Sequence, residues 1–148
     1  MENYFKQLLL KDLCSRLPYN LYCKVEGIEE PVKVLQIEVS NVDGILLNFN
    51  YKIDNLPLQV YLSEVKPYLR PLSSMSDEEF GFLQEHLPYD FTRIYSEKFN
   101  LIDDIHLGDS ISIDDMAFLL DYLNKRHFDY RGLIEKGLAI DCTNLNIY

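Results

Sequence analysis

The chain has 148 residues, of which 47% are hydrophobic and 13% aromatic, with 6 glycines and 6 prolines. This length and composition fit one compact domain or two small units that share a core, and they exclude a disordered chain. The net charge of −10 is concentrated in the second half, because residues 1–74 hold 8 basic and 9 acidic groups whereas residues 75–148 hold 6 and 15. Such a surface repels phosphate backbones, so nucleic-acid binding is disfavoured, most strongly for the second half.

The N-terminal segment has no basic region, and its apolar run at residues 8–10 is far too short for a signal peptide or a membrane span. We therefore expect a cytoplasmic protein that does not contact membranes. The three cysteines, Cys14, Cys23 and Cys142, are widely spaced and form no CxxC pair. We expect them to be ordinary reduced thiols.

Residues 3–16 are predicted to form a helix. Leu9 and Leu13 fall on one apolar stripe, while polar residues such as Asp12 occupy the other side. Pro18 should end this helix, because proline cannot continue the helical hydrogen bonds.

Four strands are predicted to follow, at residues 21–25, 32–40, 45–52 and 58–62. The first and third alternate between apolar and polar side chains, whereas the second carries apolar side chains on both faces. Asp43 and Gly44 give the strongest hairpin signal, because this pair readily adopts the positive φ angles of a tight turn. Four strands in sequential order make an antiparallel meander, which rests on the first helix or curls into a small SH3-like barrel.

Pro67 and Pro71 should end the sheet, because each proline removes a backbone donor. Ser76 and Glu79 then match a capping box at the start of a helix that should end by Pro88. The pattern over residues 90–107 is compatible with either a helix or a loop.

A further amphipathic helix is predicted from the N-cap Ser112 to about Arg126. A last short helix should run from Tyr130 to Lys136 and end at a left-handed cap. The polar tail from residue 141 should be loose.

The predicted fold is therefore α+β, with an N-terminal helix, a four- or five-stranded antiparallel sheet or small barrel, and a C-terminal helical part. Residues 1–74 should hold the first helix and the sheet. Residues 75–148 should form the acidic helical part, packed on the first as one compact unit.

Two stretches of sequence are more strongly specified than the rest, namely KPYLRPLSSM at residues 66–75 and HFDYRGLIEKGLA at residues 127–139. Together they resemble a group of small uncharacterised proteins carried on phages and other mobile elements of gut anaerobes. The resemblance implies no reaction, cofactor or catalytic residue.

The second stretch contains the best functional candidates, Asp129, Tyr130 and Arg131. A carboxylate, a phenol and a guanidinium in sequence can present a planar, bidentate recognition surface. Tyr68 and Arg70 share one face of the extended first stretch. We expect these five residues to form either a recognition surface or a structural clamp that joins the two halves.

Catalytic and metal-binding motifs are not found in the sequence. The acidic loop at residues 103–109 lacks the alternating acids of a calcium loop, and the glycines do not form a phosphate-binding loop. His86, His106 and His127 lie in separate segments with no adjacent nucleophile and no HExxH pairing. We therefore expect no catalytic residue, no metal and no cofactor.

A non-enzymatic protein-binding or regulatory protein of a phage or mobile element, with an unidentified protein partner, fits these observations best. Three alternatives stay open. One is an acidic inhibitor that mimics nucleic acid through the acids of residues 77–121, and another is a small hydrolase whose site no motif reveals. The third is nucleic-acid binding by the sheet half, which requires a common surface for Lys24, Lys33, Lys52, Lys66 and Arg70.

Overall fold

The computed structural model describes residues 2–40, 44–87 and 112–148. These residues have an α+β fold, which confirms the predicted class. The helices and strands are, in chain order, α1 (Asn3–Arg16), β1 (Tyr22–Val25), β2 (Val32–Ser40), β3 (Gly44–Ile53), β4 (Leu56–Tyr61), β5 (Val65–Leu69), α2 (Asp77–His86), α3 (Ile113–Lys125) and β6 (Ile140–Asp141). None of the helices in these ranges is long and apolar enough to cross a membrane.

The chain divides into two units. The first unit consists of Met1–Leu69 and Arg131–Tyr148, and the second of Arg70–Tyr130. This division differs from the expected boundary between residues 74 and 75. The reason is that the C-terminal residues return to the sheet of the first unit, where β6 pairs with β5.

The first unit is built on a six-stranded sheet in the order β4-β3-β2-β1-β5-β6. The predicted antiparallel meander is present, since β1 to β4 pair in sequential order. Two strands extend it beyond the predicted number: β5 pairs antiparallel with β1, and β6 pairs parallel with β5. Ser40 lies opposite Gly44 in the β2–β3 hairpin, and Asp43 of the predicted turn lies outside the described residues.

The core of the first unit lies between α1 and one face of this sheet. Leu9 and Leu13 of α1 are buried, and so are Leu47 and Phe49 of β3. Removing this much apolar surface from water is the main stabilising contribution to the unit. The burial of Phe49 confirms that the odd-numbered positions of β3 face the core.

A bulge in β2 explains why this strand has apolar side chains on both faces. Val34 pairs with Phe49, but the next pair is Gln36 with Asn48, so Leu35 is an extra residue. The extra residue shifts the alternation by one position, and the face that buries Val34 continues with Ile37 after the bulge. Leu35 itself is 56% exposed.

The prediction that the sheet ends at Pro67 is wrong, because Pro67 lies inside β5, opposite Cys23. The amide of Glu26 donates to the carbonyl of Glu64 (3.2 Å), which marks this pair as hydrogen-bonded. Since hydrogen-bonded and non-bonded pairs alternate in antiparallel strands, the Cys23–Pro67 pair is a non-bonded one. A proline nitrogen therefore costs this ladder no hydrogen bond.

The predicted helix from Tyr130 to Lys136 is also wrong, because these residues form consecutive turns. Gly132 has a φ of +67°, a left-handed conformation that interrupts a right-handed helix. Gly137 does adopt the expected positive φ, at +69°. The tail is not loose either: Cys142 is buried, and its amide donates to the carbonyl of Leu69 at 2.9 Å.

The second unit is described over α2, α3 and the segments next to them. The predicted capping box is confirmed at α2, where the Ser76 hydroxyl accepts from the Glu79 amide (3.2 Å) and the Glu79 carboxylate accepts from the Ser76 amide (3.0 Å). Ser112 caps α3 in a similar way, accepting from the Asp115 amide at 3.1 Å. The core of the unit contains Met75, Leu83, Leu87, Leu119, Leu123 and Phe128.

Candidate functional site

Arg70 lies directly after β5 and belongs to the second unit. Its guanidinium forms a bidentate ion pair with Glu79, at 2.8 Å between Nη1 and Oε1 and 2.9 Å between Nη2 and Oε2. Nη2 also donates to the carbonyl of Ser74 at 3.1 Å, and the guanidinium carbon lies 4.3 Å from the centroid of the Phe128 ring. Arg70 thus has a carboxylate, a carbonyl and an aromatic face as partners, an arrangement that suits a planar guanidinium.

Glu79 is a shared acceptor in this cluster. Burial alone would raise the pKa of its carboxyl group, but the hydrogen bonds from Arg70 and from the Ser76 backbone outweigh burial and hold the pKa below its usual value. Arg126 lies 4.0 Å from the same carboxylate. The negative charge of Glu79 is therefore retained and used to orient Arg70.

The two sequence motifs meet through backbone hydrogen bonds within the second unit. The amide of Arg70 donates to the carbonyl of His127 (2.8 Å), and the amide of Asp129 donates to the carbonyl of Arg70 (2.7 Å). The Tyr130 hydroxyl donates to Oδ1 of Asn124 at 3.0 Å. Three of the five predicted site residues, Arg70, Asp129 and Tyr130, are thus brought together.

Arg131 belongs to the first unit and pairs with a different acid. Its Nε lies 3.3 Å from Oδ1 of Asp12, and its Nη2 donates to the Ser15 hydroxyl at 3.4 Å. Arg16 donates to both oxygens of the same Asp12 carboxylate, at 2.8 and 2.9 Å. Asp12 and Arg16 are both completely buried.

Placing Asp12 on the exposed side of α1 was therefore incorrect. Asp12 and Arg16 are four residues apart, a spacing that sets two side chains next to each other on a helix. That spacing is the sequence signal for the ion pair. Its burial depends on Arg131, which lies 119 positions away in sequence and pairs with the same carboxylate.

Tyr68, the last of the five predicted residues, is buried in β5 of the first unit. Its carbonyl accepts a hydrogen bond from the Tyr148 hydroxyl (3.0 Å), and the same hydroxyl accepts from the amide of Tyr22 (3.2 Å). The Tyr22 and Tyr148 rings pack edge to face, with centroids 5.9 Å apart. A phenol at the end of the chain thus bridges β1 and β5, a role that sequence reasoning missed.

Four lysines lie on the sheet face opposite the core. Lys24 alternates with the buried Cys23 and Val25, and Lys66 is its direct partner across β1 and β5. Lys33 lies between the buried Val32 and Val34 of β2, and Lys52 is an even-numbered position of β3. We call this surface the outer face; its basic residues are Lys24, Lys33, Lys52 and Lys66.

The rest of the outer face is polar with a few exposed apolar groups. Gln36, Asn48 and Gln59 are aligned in register across β2, β3 and β4. Leu35 at the bulge is 56% exposed, and Tyr61 in β4 is 50% exposed. By the same alternation, the carboxylates of Glu26 and Glu38 also fall on this face.

Among the described residues, none of these four lysines forms an ion pair. The Lys24 ammonium donates to the carbonyls of Ile28 and Glu29, and that of Lys33 donates to Oδ1 of Asn20 at 2.6 Å. Lys52 and Lys66 are exposed. Arg70, the fifth basic residue that the nucleic-acid hypothesis requires, lies in the second unit and is paired with Glu79.

In the described ranges, no group of three or more His, Cys, Asp or Glu side chains is placed to hold a metal ion. The acidic loop at residues 103–109, His106 and the ambiguous segment 90–107 lie outside those ranges. The three cysteines are free thiols; Cys14 is exposed, and the other two are buried. Burial raises the pKa of the Cys23 thiol, and the neighbouring Asp12 carboxylate adds to the shift, so this thiol stays protonated.

No protein-family model matches this chain, nor does any curated protein or solved structure. The resemblance of the two motifs to proteins of phages and mobile elements therefore stays a prediction.

Proposed function

We propose that this chain is a non-enzymatic, cytoplasmic binding protein that regulates a process of a phage or mobile element. It engages a protein partner through the outer face. The observation that carries the proposal is the presence of four lysines without a carboxylate partner, among the described residues, on one sheet face of a protein with a net charge of −10.

The arginines of the same protein provide a contrast. Arg16 and Arg131 share the Asp12 carboxylate, and Arg70 is paired with Glu79. The chain has 24 acidic residues for 14 basic ones, so carboxylates are abundant. Lysines that form no ion pair with the carboxylates of the described residues leave their positive charge available to a molecule outside the chain.

The composition of the outer face suits a protein partner. Interfaces between proteins combine apolar and aromatic contacts with polar groups, and tyrosine is enriched in them. The exposed Leu35 and Tyr61 and the amide row of Gln36, Asn48 and Gln59 supply these elements beside the lysines. The net charge of the whole chain also repels a long polyanion at a distance.

Nucleic-acid binding by the sheet half is the second candidate function. It is favoured by the fact that four of its five required basic residues share the outer face. The pairing of Arg70 with Glu79 weakens this candidate, because the fifth required basic residue is already engaged by a carboxylate.

The other two alternatives stay predictions. The acids of α2 and α3 that a nucleic-acid mimic would use are described only in part, because residues 88–111 lie outside the described ranges. A hydrolase would require histidines or carboxylates that converge on a pocket.

The test compares two double variants with the same change in charge. Lys24→Gln with Lys66→Gln alters the outer face, and Lys6→Gln with Lys11→Gln alters exposed positions of α1. Tagged proteins are used to capture partners from an extract of the native host, and the amount of each captured protein is measured by mass spectrometry. We expect the face variant to lose a partner that the wild-type chain and the α1 variant both retain.

Equal melting temperatures of the two variants are required as a control for folding. Loss of the partner by both variants, or its retention by both, would contradict a role for the outer face.

A further inference from the structure

We infer that the partner presents a short acidic segment to the outer face, and that the Lys24–Lys66 pair is the main contact of that segment. This inference rests on the proposed function, because it specifies the chemistry of the same surface.

Lys24 and Lys66 are direct cross-strand partners. Side chains in such pairs begin about 5 Å apart at their Cβ atoms, and two like charges in this position destabilise the sheet. The Lys24 ammonium is held by two backbone carbonyls, so it cannot move far from this position without losing those bonds. A carboxylate bound beside the pair would reduce the repulsion and would be attracted by both charges.

Lys33 extends the positive charge to a third strand. It lies opposite Tyr22, which is two residues from Lys24 on the same face of β1. Lys66, Lys24 and Lys33 thus occupy β5, β1 and β2, a width of about 10 Å at the usual spacing between strands. In an extended peptide, every second side chain faces the same way and is about 7 Å from the next, so two or three alternating carboxylates match this width.

The limited size of the basic region favours a short acidic segment over a nucleic acid. A nucleic-acid strand carries a charge every few ångströms along its whole length, so it would extend past the lysines to other parts of a chain with a net charge of −10. Glu26 and Glu38 lie on the outer face as well. A segment with a few carboxylates reaches the lysines without passing these acids.

The experiment measures binding of three labelled probes by fluorescence anisotropy. The probes are a peptide of about ten residues with glutamate at alternate positions, the same peptide with glutamine in place of glutamate, and a thymidine oligonucleotide of similar length. Each is titrated at about 50 mM and about 300 mM salt, because screening separates ionic from apolar contacts. The proteins are the wild-type chain and the two double variants described above.

We expect the glutamate peptide to bind the wild-type chain about tenfold more tightly than the glutamine peptide at low salt, and to lose most of this advantage at high salt. The outer-face variant should bind it about fivefold more weakly, and the α1 variant within about twofold of the wild type. Equal affinity for the two peptides, or an unchanged affinity of the outer-face variant, would overturn the inference. Tighter binding of the oligonucleotide than of the glutamate peptide would overturn it in favour of nucleic acid.

Failure of this inference can be told apart from failure of the proposed function. If a captured partner depends on the outer face but its binding is insensitive to salt, the partner is not acidic and the proposed function stands. If no captured partner distinguishes the outer-face variant from the α1 variant, the proposed function itself fails.

Discussion

The hydroxyl of Tyr148 fills a position where two strands would otherwise be linked by their backbones. Tyr22 precedes Lys24 by two residues and Tyr68 follows Lys66 by two, so the alternation of the antiparallel ladder makes them a hydrogen-bonding pair. The phenol accepts from one strand and donates to the other. Burial raises the pKa of this phenol, so it stays protonated and keeps its donor.

The change Tyr148→Phe should lower the free energy of unfolding by about 1–3 kcal/mol, because it removes both hydrogen bonds and leaves a backbone donor and an acceptor unsatisfied. Urea denaturation followed by circular dichroism measures the effect. Tyr4→Phe is the matched control, since Tyr4 is 64% exposed, and it should change stability very little. A Tyr148→Phe protein as stable as the control would show that the phenol bridge does not hold β1 and β5 together.

Glu79 gives a pH-dependent prediction. Because the pKa of Glu79 is lower in the folded protein than its usual value of 4.5, its contribution to stability is present above that value. The contribution is lost as the pH falls through the lowered pKa of the folded state. Glu79→Gln should therefore destabilise the protein at pH 7, and the difference from wild type should shrink below about pH 4.

Glutamine at this position can still accept the capping hydrogen bond from Ser76, so the substitution tests the charge and its pairing with Arg70. Thermal melts at a series of pH values measure the effect. A difference in melting temperature that stays constant from pH 7 to pH 3 would rule out the charged pair as its source.

Several of these residue-level features could be predicted from the sequence because they are local. The capping box of Ser76 and Glu79 depends on four consecutive residues, and its prediction from the sequence is confirmed by the structure. Arg70 is one of the predicted site residues, and its partner Glu79 lies only nine positions further along the chain. The burial of Asp12 could not be predicted, because it depends on Arg131 from the far end of the chain.

The two wrong predictions of secondary structure, at Pro67 and after Tyr130, also result from contacts with residues far away in sequence. Pro67 is compatible with β5 only because its nitrogen needs no partner in β1, and this depends on the register of the two strands. The turns after Tyr130 look helical in sequence, but Gly132 adopts a left-handed conformation as the chain returns to the sheet. Register and chain return are set by residues far away in sequence, so periodicity alone does not reveal them.

β4 is the outermost strand at one side of the sheet, and its open edge offers few backbone donors. The Tyr61 amide points to that edge and donates to the Glu64 carboxylate at 2.8 Å. Backbone nitrogens alternate in direction along a strand, so those of Pro57 and Gln59 point to the same open edge as that of Tyr61. Pro57 has no amide hydrogen and therefore offers no donor there. These features protect the edge against pairing with another strand.

The change Pro57→Thr should therefore promote self-association, because it adds an outward amide and a residue that favours strands. Light scattering coupled to size-exclusion chromatography should show a higher mean mass than for the wild-type chain at the same concentration. Pro31→Thr serves as the control, since Pro31 is exposed and lies outside β4. An unchanged mass for Pro57→Thr would mean that the proline is not needed to protect the edge.

At the level of the whole molecule, the α+β class followed from the order of helical and alternating patterns. The division into units did not, because the first unit combines Met1–Leu69 with Arg131–Tyr148. No local pattern shows that a segment near the end of the chain pairs with a strand in its middle. The sequence shows which lysines could form the outer face. Whether they lie on one surface depends on strand pairing, which no local pattern reveals.

The return of the chain predicts the effect of two truncations. Of residues 1–148, a chain ending at residue 147 lacks Tyr148, whereas one ending at residue 139 also lacks β6 and the buried Cys142. The shorter chain should be less stable than the longer one by at least about 2 kcal/mol, because it loses further hydrogen bonds and buried surface. Equal urea midpoints for the two truncated chains would show that β6 adds nothing to the sheet.

The phenol bridge also has a consequence for the time course of synthesis. Tyr148 contacts residues that precede it by 126 and 80 positions, so the junction of β1 and β5 is incomplete until residue 148 has been synthesised. At about 5–20 residues per second, a ribosome needs roughly 4–16 s to proceed from Leu69 to Tyr148. During that interval the side of β5 that later receives β6 is unpaired, while Arg70–Tyr130, a continuous segment, can already fold. The nascent chain therefore exposes a strand edge that the finished protein does not, and this is the stage at which a chaperone or a second nascent chain would bind it.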